Sequence, residues 1–204
     1  MTPNKSVDFF DNQFRRQVAA GDFTLNPFET ACLPLARGRV LDFGCGLGNL
    51  AIALARRGLE VTAIDASPAA IGHIRDVATG EGLRIDAQCA EVSDWNPPGS
   101  FDTVIAIGLL MFFPREKAHT LLARIQACTS PGGIAFVNVL TEGTTFLGMF
   151  EPGHYYLFGR DELRERFAGW TILHDLHQTF DAPGGTQKVF ATLAARKDGG
   201  PGHG

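Results

Sequence analysis

The chain has no run of lysine or arginine. Among its 204 residues, 18 basic side chains stand against 22 acidic ones, a formal net charge of −4. Without a basic field there is little to hold a phosphate backbone, so nucleic acid is not an expected partner. Cysteine is scarce as well. Cys32, Cys45, Cys89 and Cys128 form no CxxC pair, and none lies beside a histidine at metal-ligand spacing. They read as buried or reduced thiols, which argues against a disulfide frame and gives no reason to expect a metal. The longest apolar run, Val104 to Phe113, is too short to span a bilayer. The opening residues, MTPNKSVDFFDNQF, are polar and hold no apolar core of the secretory kind. A cytoplasmic protein without a membrane partner is therefore expected. No nucleophile triad or obvious acid/base pair stands out either, which narrows the chemistry to reactions that need little of it.

The hydrophobic fraction of 45% and charged fraction of 20% are ordinary for a soluble domain. The length suits one domain with a sizeable core. One domain is expected over residues 1–197, its first 37 residues forming helices that close the site, and the tail DGGPGHG from Asp198 is expected to be disordered. Val7, Phe10, Phe14 and Val18 share one face at helical spacing. Asn26, Pro27 and Glu29 make a capping-box start for a second helix.

A strand–helix alternation begins at Arg39. Strands are expected at 39–43, 60–65, 83–88, 101–107 and 134–140, with helices from 49 to 57, after Ser67-Pro68, and along the face Ala118, Leu121, Leu122 and Ile125. Pro131-Gly132-Gly133 ends the connection before the fifth strand. A short helix is expected at 161–167. Two last strands, about 170–178 and 187–195, are joined by the turn Ala182-Pro183-Gly184-Gly185. The pattern predicts an α/β fold: a doubly wound, mostly parallel seven-stranded sheet with an antiparallel C-terminal strand. Right-handed crossovers bring the ends of strands one, two and four around one crevice.

The strongest motif is Val40-Leu41-Asp42-Phe43-Gly44-Cys45-Gly46-Leu47-Gly48-Asn49. Its glycines allow a tight strand-to-helix turn and close approach of backbone to a ligand. Asn49 occupies the place of the third glycine in the dinucleotide fingerprint, which is built around a pyrophosphate. Asp42 opposes a pyrophosphate. It suits the ammonium and sulfonium charges of S-adenosylmethionine (SAM). Asp65 ends the second strand, where an acid accepts from a ribose diol. Glu91, in Cys89-Ala90-Glu91-Val92, is placed to accept from an adenine amino group. Ala66, Ala90, Val92, Ile107 and Gly108 are assigned to the cofactor site with these residues. Gly108-Leu109-Leu110-Met111-Phe112-Phe113 is expected to face the crevice beside the donor methyl, where apolar side chains exclude water and pack the adenine or the acceptor.

These stretches make the chain resemble class I SAM-dependent methyltransferases and, within them, the tellurite-resistance methyltransferase family. The resemblance rests on VLDFGCGLGN at 40–49, LLMFF at 109–113, ACTSPGG at 127–133 and the C-terminal ERFAGW and FATLAARK. It implies a Rossmann-like fold, SAM as methyl donor with S-adenosylhomocysteine as product, and a small-molecule acceptor such as a chalcogen oxyanion, a thiol or a metabolite. The family uses a histidine and arginines on the last two strands. His177 stands at the histidine position and becomes the candidate catalytic residue, while Gln178 replaces an arginine. The following turn lacks a second arginine, and Lys188 is the nearest cation, a departure that argues against efficient oxyanion methylation. The connection 141–158 holds both tyrosines, Tyr155 and Tyr156, and is the candidate lid; with Met111, Phe112 and Gln178 they form the expected acceptor side. Two other readings of the same motifs stay open: an NAD(P)-dependent oxidoreductase and a SAM-binding module without catalysis. Oligomeric state is not legible.

Overall fold

A computed structural model describes residues 5–199, with side chains from residue 10 onward. The expected position of Val7 on the first helix face, and the tail beyond residue 199, lie outside that description. The central sheet has seven strands in the order β3-β2-β1-β4-β5-β7-β6. They are β1 (Arg39–Phe43), β2 (Glu60–Asp65), β3 (Ile85–Cys89), β4 (Phe101–Ile107), β5 (Thr129–Leu140), β6 (Thr171–Ala182) and β7 (Thr186–Arg196). β1 to β5 pair in parallel, and β7 runs antiparallel between β5 and β6. The helices are α1 (Lys5–Ala20), α2 (Pro27–Cys32), α3 (Asn49–Arg56), α4 (Pro68–Glu81), α5 (Arg115–Cys128) and α6 (Glu162–Arg166).

Alternation along each strand feeds two cores. Leu41, Phe43 and Val104 point to one face and meet Leu121, Leu122 and Ile125 of α5 with Phe158 and Phe167. Val40, Val61 and Ile105 point to the other and meet Leu50 and Leu54 of α3, Ile71 and Ile74 of α4, and Cys32 of α2. Each fully buried leucine or isoleucine here contributes about 1.5–3 kcal/mol. Local chemistry sets the helix starts. The Asn26 side chain accepts from the amides of Phe28 and Glu29, and the Glu29 carboxylate accepts from the Asn26 amide, so the capping box is complete. Ser67 caps α4 by accepting from the Ala70 amide, and Pro68 follows in its first turn.

Three boundaries and one side chain differ most from the sequence reading. β3 starts two residues later than residue 83. β5 reaches back to Thr129, because Pro131-Gly132-Gly133 forms an irregularity inside it: the pairing slips between Phe101↔Thr129 and Thr103↔Ile134. Gly133 permits this, since a Cβ there would lie 2.9 Å from the Ser130 carbonyl oxygen. β6 runs on to Ala182, so the hairpin is longer than expected. Lastly, Val18 is 40% exposed and turns away from the core.

Candidate active site

β1, β2 and β4 end on the same side of the sheet, and there a cleft of about 610 Å³ opens beneath α1. Its floor is the turn between β1 and α3. The amides of Gly44 and Cys45 both donate to the Ile64 carbonyl, at 2.8 and 3.0 Å, binding the turn to the end of β2. Gly46 has φ of 53° and faces the cleft, where an added Cβ would come within 3.2 Å of the Phe14 ring. Gly48 behaves differently: its missing Cβ makes room for Ile74, 2.6 Å away, so it seats α3 against α4 behind the cleft.

Asp65 closes the turn from the other side. One carboxylate oxygen accepts from the Gly46 amide at 2.9 Å, and the other from the Ser67 amide at 2.9 Å. Each oxygen keeps a lone pair free for a ligand hydroxyl. Burial, more than its amide donors can offset, raises the Asp65 pKa. Asp42 sits deeper, only 4% exposed. Burial first, then the neighbouring Glu29 and Asp65 carboxyls, push its pKa up to about 8. Glu29, lining the same wall, is also raised by burial. Three acids thus converge with no cation among them, an arrangement that a positively charged ligand relieves. Beside them the buried Oδ1 of Asn49 has no hydrogen-bond partner. The Ala66, Glu91, Val92, Ile107 and Gly108 positions expected at the cofactor side also line the cleft, whereas Ala90 does not.

The donor set fits SAM. The acids would answer its ammonium and sulfonium, Asp65 would answer a ribose diol, and the bare backbone at Gly44 and Gly46 would leave space for the ligand's body. α1 covers this half. The Ser67 hydroxyl donates to Asp11 at 2.5 Å, fixing α1 to the start of α4, and Gln13 and Phe14 look into the cleft. Phe10 packs edge-on against Phe112 at 5.1 Å between ring centres.

The second half of the cleft lies under β5 and β7. Met111 and Phe112 line it as expected, with Asn138, Leu140, Phe146, Met149, Lys188 and Phe190. Of these, the sequence motifs mark Lys188 only as the nearest cation and give Asn138 no role. A polar residue inside the apolar run 134–140 was the signal for it. The connection 141–158 does close this half, anchored where the Val189 amide donates to the Thr144 hydroxyl and the Gln187 amide donates to the Thr145 hydroxyl. Phe150 and Met149 of this segment pack on Met111 and Leu140.

Four residues expected at the acceptor are placed elsewhere. His177 pairs with Ala191 and Gln178 with Phe190, so the two project to opposite faces of the sheet. The His177 Nε2 lies 2.8 Å from the Arg160 carbonyl oxygen, outside the cleft. Gln178 shares the face of Phe190 but lies one strand further from the cleft and does not line it. Tyr155 stacks behind Phe150 at 4.7 Å. Tyr156 donates to the Glu162 carboxylate at 2.7 Å, and Glu162 in turn lies 2.6 Å from the His119 Nε2. That cluster ties the end of the strap to α5 and α6, and it pushes the tyrosine pKa up to about 12, burial being the leading cause.

Residues 40–133 match a methyltransferase domain family. The probable SAM-dependent methyltransferase TehB of Haemophilus influenzae is 25% identical over 95% of this chain and 67% of its own length. The crystal structure of TehB from that organism superposes with a TM-score of 0.72 at 22% identity, covering 86% of this chain and 63% of that one. Hemagglutinin 1 of Eikenella corrodens is 29% identical over 86% of this chain and 60% of its own length. A ubiquinone biosynthesis O-methyltransferase of Xanthomonas euvesicatoria is 35% identical over 65% of this chain and 57% of its own length. The chain therefore spans about three fifths of the length of these curated relatives. Among the described residues, no helix is long and apolar enough to cross a membrane. The chain thus shares the fold of TehB, carries a match to a methyltransferase domain over residues 40–133, and is similar along most of its length to a probable SAM-dependent methyltransferase.

Proposed function

We propose that the chain transfers a methyl group from SAM to a small molecule, with residues 1–197 acting as one catalytic unit. The observation that carries this reading is the wall of Asp42, Asp65 and Glu29 at the glycine turn, which faces a cleft of about 610 Å³ and forms no salt bridge among the described residues. Asp42 and the Asn49 carbonyl hold the amino-acid end of the cofactor, Asp65 its ribose and Glu91 its base. When bound, SAM supplies an electrophilic methyl: the acceptor's lone pair forms the new bond to carbon as the C–S pair returns to sulfur, leaving S-adenosylhomocysteine.

The protein's own work is alignment and dehydration. The aromatic and methionine side chains at 111, 112, 146, 149 and 150 line or back the far half of the cleft and keep water from the reacting atoms. A base is required only for an acceptor that must lose a proton; a thiolate needs none.

The same acids argue against a nicotinamide dinucleotide, whose pyrophosphate they would repel. SAM and S-adenosylhomocysteine are expected to raise the melting temperature, and NADH is not. Release of S-adenosylhomocysteine with any member of a panel of thiols, phenols, amines and chalcogen oxyanions separates an enzyme from a SAM-binding module. Stabilisation by NADH with none by SAM refutes the proposal.

A further inference from the structure

β5 and β7 present one continuous stripe to the far half of the cleft. Asn138 pairs with Thr192 and Leu140 with Phe190, and alternation puts Lys188 on the same face one step beyond. The stripe therefore runs from a buried amide, across apolar side chains, to a cation. At its inner end Asn138 is fully buried. Its Nδ2 donates to the Thr192 hydroxyl at 2.8 Å, which fixes the amide's orientation, and its Oδ1 has no partner. A buried carbonyl left without a donor costs about 1–3 kcal/mol, and this one lines the cleft. The Asn138 backbone carbonyl accepts from the amide of Gly108 at 3.0 Å, and both residues line the same cleft.

At the outer end Lys188 is the one cation lining the cleft among the described residues. Its ammonium lies 4.8 Å above the Phe146 ring and forms no salt bridge with the described carboxylates. Half-burial lowers its pKa, in the direction of a cation short of a counter-charge. Between the two ends, Phe190 meets Phe28 at 4.7 Å and Phe146 and Leu140 complete an apolar channel.

We propose that the acceptor is a small, mostly apolar or aromatic carboxylate: its anionic group sits at Lys188, its body lies along Leu140 and Phe190, and its nucleophilic end is positioned by the Asn138 carbonyl. This deepens the methyltransferase reading and rests on it. The acidic wall of the cofactor half and the one cation lining the acceptor half among the described residues give the cleft opposite polarity at its two ends. That polarity orients a carboxylate away from the acids and its nucleophile toward the methyl.

The probes are 4-mercaptobenzoate and its neutral partner 4-mercaptobenzamide, titrated calorimetrically into protein saturated with S-adenosylhomocysteine. The carboxylate is expected to bind at least tenfold more tightly than the amide. Lys188→Met is expected to remove that preference while S-adenosylhomocysteine affinity stays constant. Asn138→Leu is expected to raise KM and lower kcat for 4-mercaptobenzoate with SAM, with S-adenosylhomocysteine affinity unchanged. Equal affinity for the two probes, binding of neither, or a carboxylate preference that survives in Lys188→Met overturns the proposal. Failure of S-adenosylhomocysteine itself to bind would instead strike the cofactor reading, and the same titrations distinguish the two.

Discussion

Asp42 should make cofactor binding and stability depend on pH in opposite senses, and the size of the effect follows from its surroundings. Its carboxyl, ordinarily ionised above 3.8, is held protonated to about 8 by burial and by the Glu29 and Asp65 carboxyls. The folded protein thus keeps a proton that the unfolded chain has released throughout that window. Stability falls as pH rises across it, by ~1.4 kcal/mol per unit, and the loss is complete above the folded pKa. At pH 7 the group costs the unliganded protein roughly 4 kcal/mol at most, less whatever water in the cleft screens. Asp42→Asn, which keeps the shape and removes the titration, should be more stable than the native chain at pH 7, the advantage shrinking toward pH 4. Binding runs the other way. A cationic ligand beside Asp42 lowers its pKa, so SAM should expel close to one proton at pH 6.5 and bind more tightly as pH rises toward 8. Calorimetry in two buffers of different ionisation enthalpy reads that proton directly. The ligand's own ammonium contributes alike to both proteins, so the difference between native and Asp42→Asn isolates the carboxyl. Asp42→Asn should also weaken SAM at least about tenfold, the loss of one charge-assisted hydrogen bond. Equal proton release from the two proteins, or equal affinity, would refute the assignment of Asp42 as the cation's partner.

Asp65→Ala should weaken SAM by at least about tenfold. It should also lower the melting temperature, because it frees the Gly46 and Ser67 amides; calorimetry and thermal melts read the two effects, and an unchanged affinity would leave Asp65 a turn-builder only. His177→Ala should leave SAM affinity and acceptor KM unaltered and cost no more than about 1 kcal/mol of stability, the worth of its bond to the Arg160 carbonyl. A fall in kcat without a fall in melting temperature would return His177 to the acceptor site.

The elements legible in the sequence were those whose chemistry is local. The β1 turn, the Asp65 strand end, the Asn26 capping box and the Ser67-Pro68 start of α4 each depend on residues within a few positions of one another. What escaped depended on parity or on distant partners. The pairing of β6 with β7 slips between Ile172 and His174. The extra residue shifts the register that decides which side chains share a face, and no periodicity in 170–178 reveals it. His177 therefore faces away from the side of Phe190, and Gln178, on that side, lies one strand beyond the cleft. On α1 the spacing of Phe10 and Phe14 did mark the stripe that turns inward, since both line the cleft; what local spacing could not show is that Asp11 meets Ser67, a contact between residues far apart in the chain. Asn138 was visible as an anomaly in an apolar run, but only the register with Thr192 shows that half of its amide is left for something else.

α1 leans on both halves of the cleft at once. Through Asp11 it rests on the turn that carries the ribose acid, and through Phe10 it rests on Phe112 at the acceptor side. Two ligands that order one helix are coupled by reciprocity: whichever arrives first reduces the entropy still to be lost when the second binds. Each ligand should then tighten the binding of the other by the same factor, and a looser α1 would weaken both affinities together.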